Sequence, residues 1–325
     1  MLPNNSGILQ RVPFNTFGIP FGLCGFASVW STQTSATLHL IGVLGWLLAA
    51  SVLVALLLEH WRRGRKASGT LIEQILHPVQ GPYGVLPLLV LMLLGVQLAS
   101  FWPSGGVGLS LSAMTLAVIY SLAQVARWIY LPLPIHSIHG GYLLPVAATP
   151  LLSAIAMSKL QLPELSLWLF YVGLVGAAIM LVLVVVRSFL EHKMPPPLSP
   201  TKAIIVAPPA LAIVAGTTVL PQAIPVFVAV LGVSVVLQLL WLRSYFLPHY
   251  SLGAWAFVFP TAAFSLAMLT LFGTGGLVAG VVLTLIAFVV GINLVLTVRM
   301  FIHGSKEYLA SERELAQSDE DLKDQ

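Results

Sequence analysis

Ten apolar stretches run through this chain, and those with an internal proline alternate strictly with those that have essentially none. Pro20, Pro87, Pro145 with Pro150, Pro208 with Pro209, and Pro260 fall in the first, third, fifth, seventh and ninth stretches. The others, at about 37–60, 107–130, 165–190, 223–246 and 274–300, contain only Pro225, near the start of the eighth. Proline deletes a backbone hydrogen bond and presses on the preceding turn, so it kinks or breaks a helix. A segment of about 20 apolar residues spans a bilayer. Carbonyls freed there are tolerated only where protein or a water-filled cavity satisfies them. The alternation therefore predicts proline-kinked helices inside and straight helices facing lipid.

The composition agrees with membrane residence. Of the 325 residues, 58% are hydrophobic and 8% charged, against about 25% charged in a soluble domain. The chain reads as an all-α polytopic membrane protein, with a ten-span domain at 1–303 and an acidic cytoplasmic tail at 304–325. The first stretch, from 14 to about 30, lacks an A-x-A site and reads as a span rather than a signal peptide. A lone cysteine, Cys24, excludes an intramolecular disulfide and a cysteine-rich metal site. His136 and His139 have no Cys or carboxylate near them in sequence, so they read as polar loop residues. Walker-type, GxGxxG, HExxH and GxSxG patterns are absent from the sequence, which argues against an enzyme and implies no cofactor and no metal. The net charge of +4 is not a nucleic-acid signal, because its location matters more than its sum.

Of the 15 Lys and Arg residues, all but Lys159 lie at the N-terminus, at or beyond the ends of even-numbered spans, or in the tail. Arg62, Arg63, Arg65 and Lys66 follow the second span, and Arg187, Lys193 and Lys202 follow the sixth. The positive-inside rule then puts both termini in the cytoplasm. Every proline-bearing span runs in one direction, and the marker prolines recur at intervals of about 50 to 70 residues. That is the length of a helical hairpin with its loops. Five parallel hairpins predict an inner ring of five proline-kinked helices around a central pore.

On a helical wheel of about 100° per residue, Phe259 shares its side of the ninth span with Ala256, Ala262 and Ala263. Leu252 and Trp255 lie nearer the cytoplasm and Leu266 further out. Phe259 is also the one aromatic residue directly preceding a marker proline. It reads either as a ring closing a narrow apolar pore or as a phenylalanine packed between helices. Thr261 and Ser265 point away from it and should bond neighbouring helices or carbonyls. No Asp, Glu, Lys or Arg sits at the depth of a span, whereas coupled pumps generally need one. Such a neutral conduit binds ions weakly. Helix N-termini at the cytoplasmic mouth favour anions, while proline-freed carbonyls favour cations, and the sequence leaves that balance open.

The segments NTFGIPFGLCGFASVW, LHPVQGPYGVLP, HGGYLLPVAATPLLSA, IIVAPPALAIVAG and SLGAWAFVFPTAAFSLAM resemble, in that order, stretches of the tellurite-resistance/dicarboxylate transporter family. That family includes bacterial TehA and the plant guard-cell slow anion channels. The resemblance implies five hairpins around a pore, a homotrimer with one pore per subunit, and an anion conduit gated by Phe259. The expected partners are small inorganic or organic anions and membrane lipid, in the bacterial inner membrane and without nucleic acid. A coupled carrier of dicarboxylate, sulfite or tellurite-related oxyanions is the alternative, and a non-conducting sensor or scaffold is a third reading.

Overall fold

The computed structural model describes residues 11–131, 137–190, 196–246 and 250–321. His136 and Lys193 lie outside the described residues. Those residues form helices and no strand: α1 (Gly18–Ser31), α2 (Ala36–Gly64), α3 (Leu71–Leu76), α4 (Leu86–Leu98), α5 (Pro103–Tyr130), α6 (Thr149–Lys159), α7 (Pro163–Leu190), α8 (Ala207–Val219), α9 (Ile224–Trp241), α10 (Val258–Phe272) and α11 (Gly276–Asp321). Among the described residues, 9 helical segments are long and apolar enough to cross a membrane. The first stretch is helical but is not one of them. Asn15, Thr16 and the glycines Gly18, Gly22 and Gly25 dilute its hydropathy.

The spanning segments fall into two burial classes. Gly81–Leu98, Gly140–Lys159, Leu198–Val219 and Leu252–Phe272 are between 50% and 89% buried, while those built on α2, α5, α7, α9 and α11 are between 11% and 33% buried. The less buried helices expose large apolar residues such as Leu47, Leu122, Val175, Val233 and Val295. In a bilayer these side chains meet acyl chains, as backbone-satisfied helices require.

Each short, proline-bearing helix packs against the long helix that follows it: α1 on α2, α4 on α5, α6 on α7, α8 on α9 and α10 on α11. Contacts also run from α1 to α4, α4 to α6, α6 to α8, α8 to α10, and from α10 back to α1. Glycine permits the closest approaches within these pairs. A Cβ on Gly106 of α5 would stand 2.2 Å from the Ala99 nitrogen at the end of α4, and one on Gly176 of α7 would stand 1.9 Å from the Val146 carbonyl oxygen. Small residues at such crossings replace the hydrophobic drive that is missing between helices in lipid.

The prolines differ from the expected mid-helix kinks. Each short α-helix is preceded by a tighter or wider run: 3₁₀ turns at Phe14–Phe17, Gly81–Val85, Pro196–Val206 and Leu252–Phe257, and a π segment at Leu144–Ala148. Pro20, Pro87, Pro150, Pro208, Pro209 and Pro260 occupy the first turn of the α-helix that follows, and Pro145 the start of the π segment. A first-turn N–H has no intrahelical partner, so proline there costs little and fixes a helical φ. The bend belongs to the change of helix type.

Candidate pore

Phe259 is the second residue of α10, just inside the junction with the 3₁₀ turn Leu252–Phe257. Its ring is 6% exposed and stacks on Phe21 of α1, with centroids 3.9 Å apart and planes at 23°. The junction is tied to α11 on both sides of the ring. The Trp255 indole N–H donates to the Thr297 hydroxyl at 2.9 Å, and the Tyr250 hydroxyl meets the same oxygen at 2.9 Å. Nearly two turns beyond Phe259, the Ser265 hydroxyl donates to Thr261 O at 2.8 Å and lies 3.4 Å from Val282 O. Thr261 donates to Phe257 O at 2.7 Å. Both hydroxyls therefore serve backbone carbonyls, as their position opposite Phe259 on the wheel required.

Phe259 borders two cavities. One, of about 40 Å³, is bordered by Gly18, Phe21, Tyr83, Leu144, Thr201 and Leu252 among others, with Ala256, Phe259 and Pro260. The other, of about 250 Å³, is bordered by Gly25, Gln97, Lys159 and Leu211 among others, with Phe259, Ala262, Ala263 and Leu266. Phe259 is the one residue that borders both. Leu252 and Ala256 thus border the first cavity and Ala262 and Ala263 the second. Of the seven marker prolines, Pro260 alone reaches either cavity, and the rest pack against neighbouring helices or half-expose, as Pro87 does.

The cavities are chemically sparse. No carboxylate borders either, and Lys159 is the one charged side chain among their lining residues. The hydroxyls around the larger cavity are committed: Ser28 donates to Cys24 O, Thr32 to Val29 O and Thr270 to Leu266 O, each at 2.8 Å. Deeper in the packing, Thr149 donates to Leu144 O at 2.9 Å and Ser153 to the Met92 sulfur at 3.4 Å. Cys24 is fully buried and borders neither cavity.

At the end of the bundle where the 3₁₀ turns lie, His139 organises a buried aromatic cluster. Its Nδ1 accepts from the Gly141 N–H at 3.0 Å and meets the Tyr83 hydroxyl at 3.3 Å. Its Nε2 stands 3.2 Å from Val79 O. This pattern assigns the proton to Nε2 and keeps the ring neutral. Burial pushes its pKa down to about 4 and the Arg187 charge acts the same way, with the Val79 carbonyl opposing. The sequence placed His139 in an ordinary polar loop, and no group of three metal-ligating side chains occurs among the described residues. Its stack on Tyr83, 5.2 Å between centroids, had no local signal because the two residues lie in different hairpins.

Two cations near the span ends lie inside the packing. Arg187 and Lys202 are buried. Lys202 Nζ donates to the Ser244 hydroxyl at 3.2 Å and lies 5.6 Å over the Trp241 ring. The run Pro196–Val206 forms a 3₁₀ segment that carries Lys202 into the packing.

The SLAC1 family, described as voltage-dependent anion channel, matches residues 11–301. The chain belongs to that family. No curated protein matches it. The SLAC1 match takes in every helix that borders the two cavities and ends where α11 runs on towards Asp321. With the apolar helices, membership makes this an integral membrane protein of anion-channel-like transport, and the SLAC1 description is of a channel rather than an enzyme.

Proposed function

We propose that this protein conducts small anions passively through the space enclosed by its proline-bearing helices, and that the Phe259 ring closes that path. One observation supports the reading: Phe259 alone borders both cavities, and in this reading its ring is the partition between them. An apolar partition between small residues blocks ions by excluding water, the hydrophobic type of gate. In this reading the stretch Phe14–Ser31 is a tenth span, and the ten form five hairpins with an inner ring. The sequential contacts from α1 through α4, α6, α8 and α10 back to α1 support that arrangement.

The termini lie in the cytoplasm, the protein resides in a bacterial inner membrane as a homotrimer, and the tail beyond 303 is a cytoplasmic extension that continues α11. Anion preference follows from the five inner α-helices, whose N-terminal ends face the cytoplasm with partial positive charge. With one charged side chain at its walls, the path discriminates by dehydration cost. Nitrate and iodide therefore pass more readily than chloride.

Planar-bilayer recording of Phe259→Ala tests this. The variant should carry ohmic anion current far above the wild type, with bi-ionic reversal potentials ordered nitrate and iodide above chloride. A silent variant, or a clear cation preference, overturns the reading. Saturable, proton-dependent, concentrative uptake of a dicarboxylate or a tellurite-related oxyanion would instead establish the coupled carrier.

A further inference from the structure

Lys159 ends α6 at the opposite end of the helix from the proline junction, and it is the one charged side chain bordering the larger cavity. A cation in the last turn complements the helix dipole, but nothing in the structure holds its head. Among the described residues its ammonium, on an exposed residue, has no hydrogen bond and no ion-pair partner. Glu164, the nearest carboxylate in sequence, sits in the first turn of α7. It is not within ion-pair distance of Lys159.

The other polar groups of this cavity cannot serve an anion. The Ser28, Thr32 and Thr270 hydroxyl protons go to backbone carbonyls of their own helices, and the Trp46 indole N–H goes to the Ser31 hydroxyl at 3.1 Å. An anion needs donors, and these offer only lone pairs. Two side chains on the cavity wall keep N–H groups to give: the Lys159 ammonium and the Gln97 amide, whose side chain bonds nothing in the structure.

We propose that Lys159 is the anion-collecting group of the outer vestibule. It draws small inorganic anions to the outer side of Phe259, with the Gln97 amide as second donor, and so raises anion access from that side. The inference deepens the channel reading and rests on it. A single positive charge in a cleft with low-dielectric walls raises the local concentration of counter-ions, and salt removes the effect.

The test uses the full chain in the Phe259→Ala background, recorded in a planar bilayer with chloride or nitrate on the Lys159 side. Lys159→Gln should lower anion current drawn from that side about 2- to 10-fold at ~0.01 M salt and leave it unchanged at ~1 M, as the screening length falls from ~30 to ~3 Å. Lys159→Arg should keep the current. Modifying Lys159→Cys with a cationic thiosulfonate should restore it, and with an anionic one lower it further, against a background in which the one native cysteine, Cys24, is buried. A loss equal at both salt concentrations, no loss at low salt, or an equal loss in Lys159→Arg overturns the assignment. A silent Phe259→Ala parent refutes the channel reading, and the assignment with it. That outcome is distinct from a conducting parent in which Lys159 has no salt-dependent effect.

Discussion

Phe21 should act as the latch of the Phe259 ring, and replacing it with leucine tests this directly. The two rings stack with centroids 3.9 Å apart at 23°, and Phe21 is itself buried. A stacked aromatic pair is worth about 0.5–1.5 kcal/mol beyond the area it buries. Phe21→Leu keeps most of the apolar bulk and costs the fold less than Phe21→Ala, which would cost about 3–5 kcal/mol and confuse gating with stability. If the stack exists only while Phe259 blocks the path, its loss destabilises the closed state alone. The ratio of open to closed should then rise about 2- to 13-fold, since 1.4 kcal/mol is a factor of ~10. Single-channel open probability in a bilayer, or nitrate efflux from proteoliposomes, reads this ratio. In the Phe259→Ala background the same substitution should change nothing, because the stack is already gone. An equal gain in both backgrounds, or no gain in the native one, would refute the latch.

Three further outcomes follow from the packing. His139 has a native pKa near 4 against an ordinary 6.5, so the unfolded chain takes up the proton first. Stability is therefore full above pH ~6.5 and declines by about 3 kcal/mol as pH falls towards 4. Thermal melts of the detergent-solubilised protein at pH 5 and 7.5 should show that decline, and His139→Gln should flatten it. Gly106→Ala would press a Cβ to 2.2 Å from the Ala99 nitrogen, and because the obstacle is backbone the melt should report a loss of about 1–3 kcal/mol. Trp255→Phe removes the 2.9 Å bond to Thr297, worth about 0.5–1.5 kcal/mol. It should loosen the turn that positions Phe259 and raise leak current, and an unchanged leak would show that this tie does not hold the ring.

Much of the fold was legible because proline and charge act locally. A proline changes the hydrogen bonding of its own turn, so the alternation of Pro20, Pro87, Pro145, Pro208 and Pro260 with straight stretches marked in advance which helices are more buried. What the proline could not disclose was its geometry. The expected kink assumes a continuous α-helix. A change from 3₁₀ or π to α at the same position accommodates the same missing N–H donor, and both read identically in sequence. The first stretch shows the same limit in hydropathy. The glycines that let α1 approach α10, such as Gly25 with 2.8 Å left between an added Cβ and that of Ala262, lower the signal by which a span is recognised.

The candidate site was legible only where one helix sufficed to define it. Phe259, Ala256, Ala262 and Ala263 share a side of a single helix, so a wheel finds them, and the wheel also sorts Thr261 and Ser265 to the other side. Phe21, Gln97 and Lys159 belong to α1, α4 and α6, and no periodicity within one segment relates them to Phe259. Lys159 did carry a signal, as the exception to the positive-inside pattern. A cation on the side where cations are scarce either stabilises a helix end or serves what passes through. A helix-end role needs only the charge near the last carbonyls of α6. A role in transport needs the ammonium at a cavity wall with its hydrogens unspent; Lys159 borders the larger cavity, is exposed, and has no hydrogen-bond or ion-pair partner among the described residues. The two roles respond differently to salt at the pore: a helix-end contact changes stability and leaves the ratio of currents at low and high salt untouched, whereas an anion-collecting charge changes that ratio and leaves the melt in place.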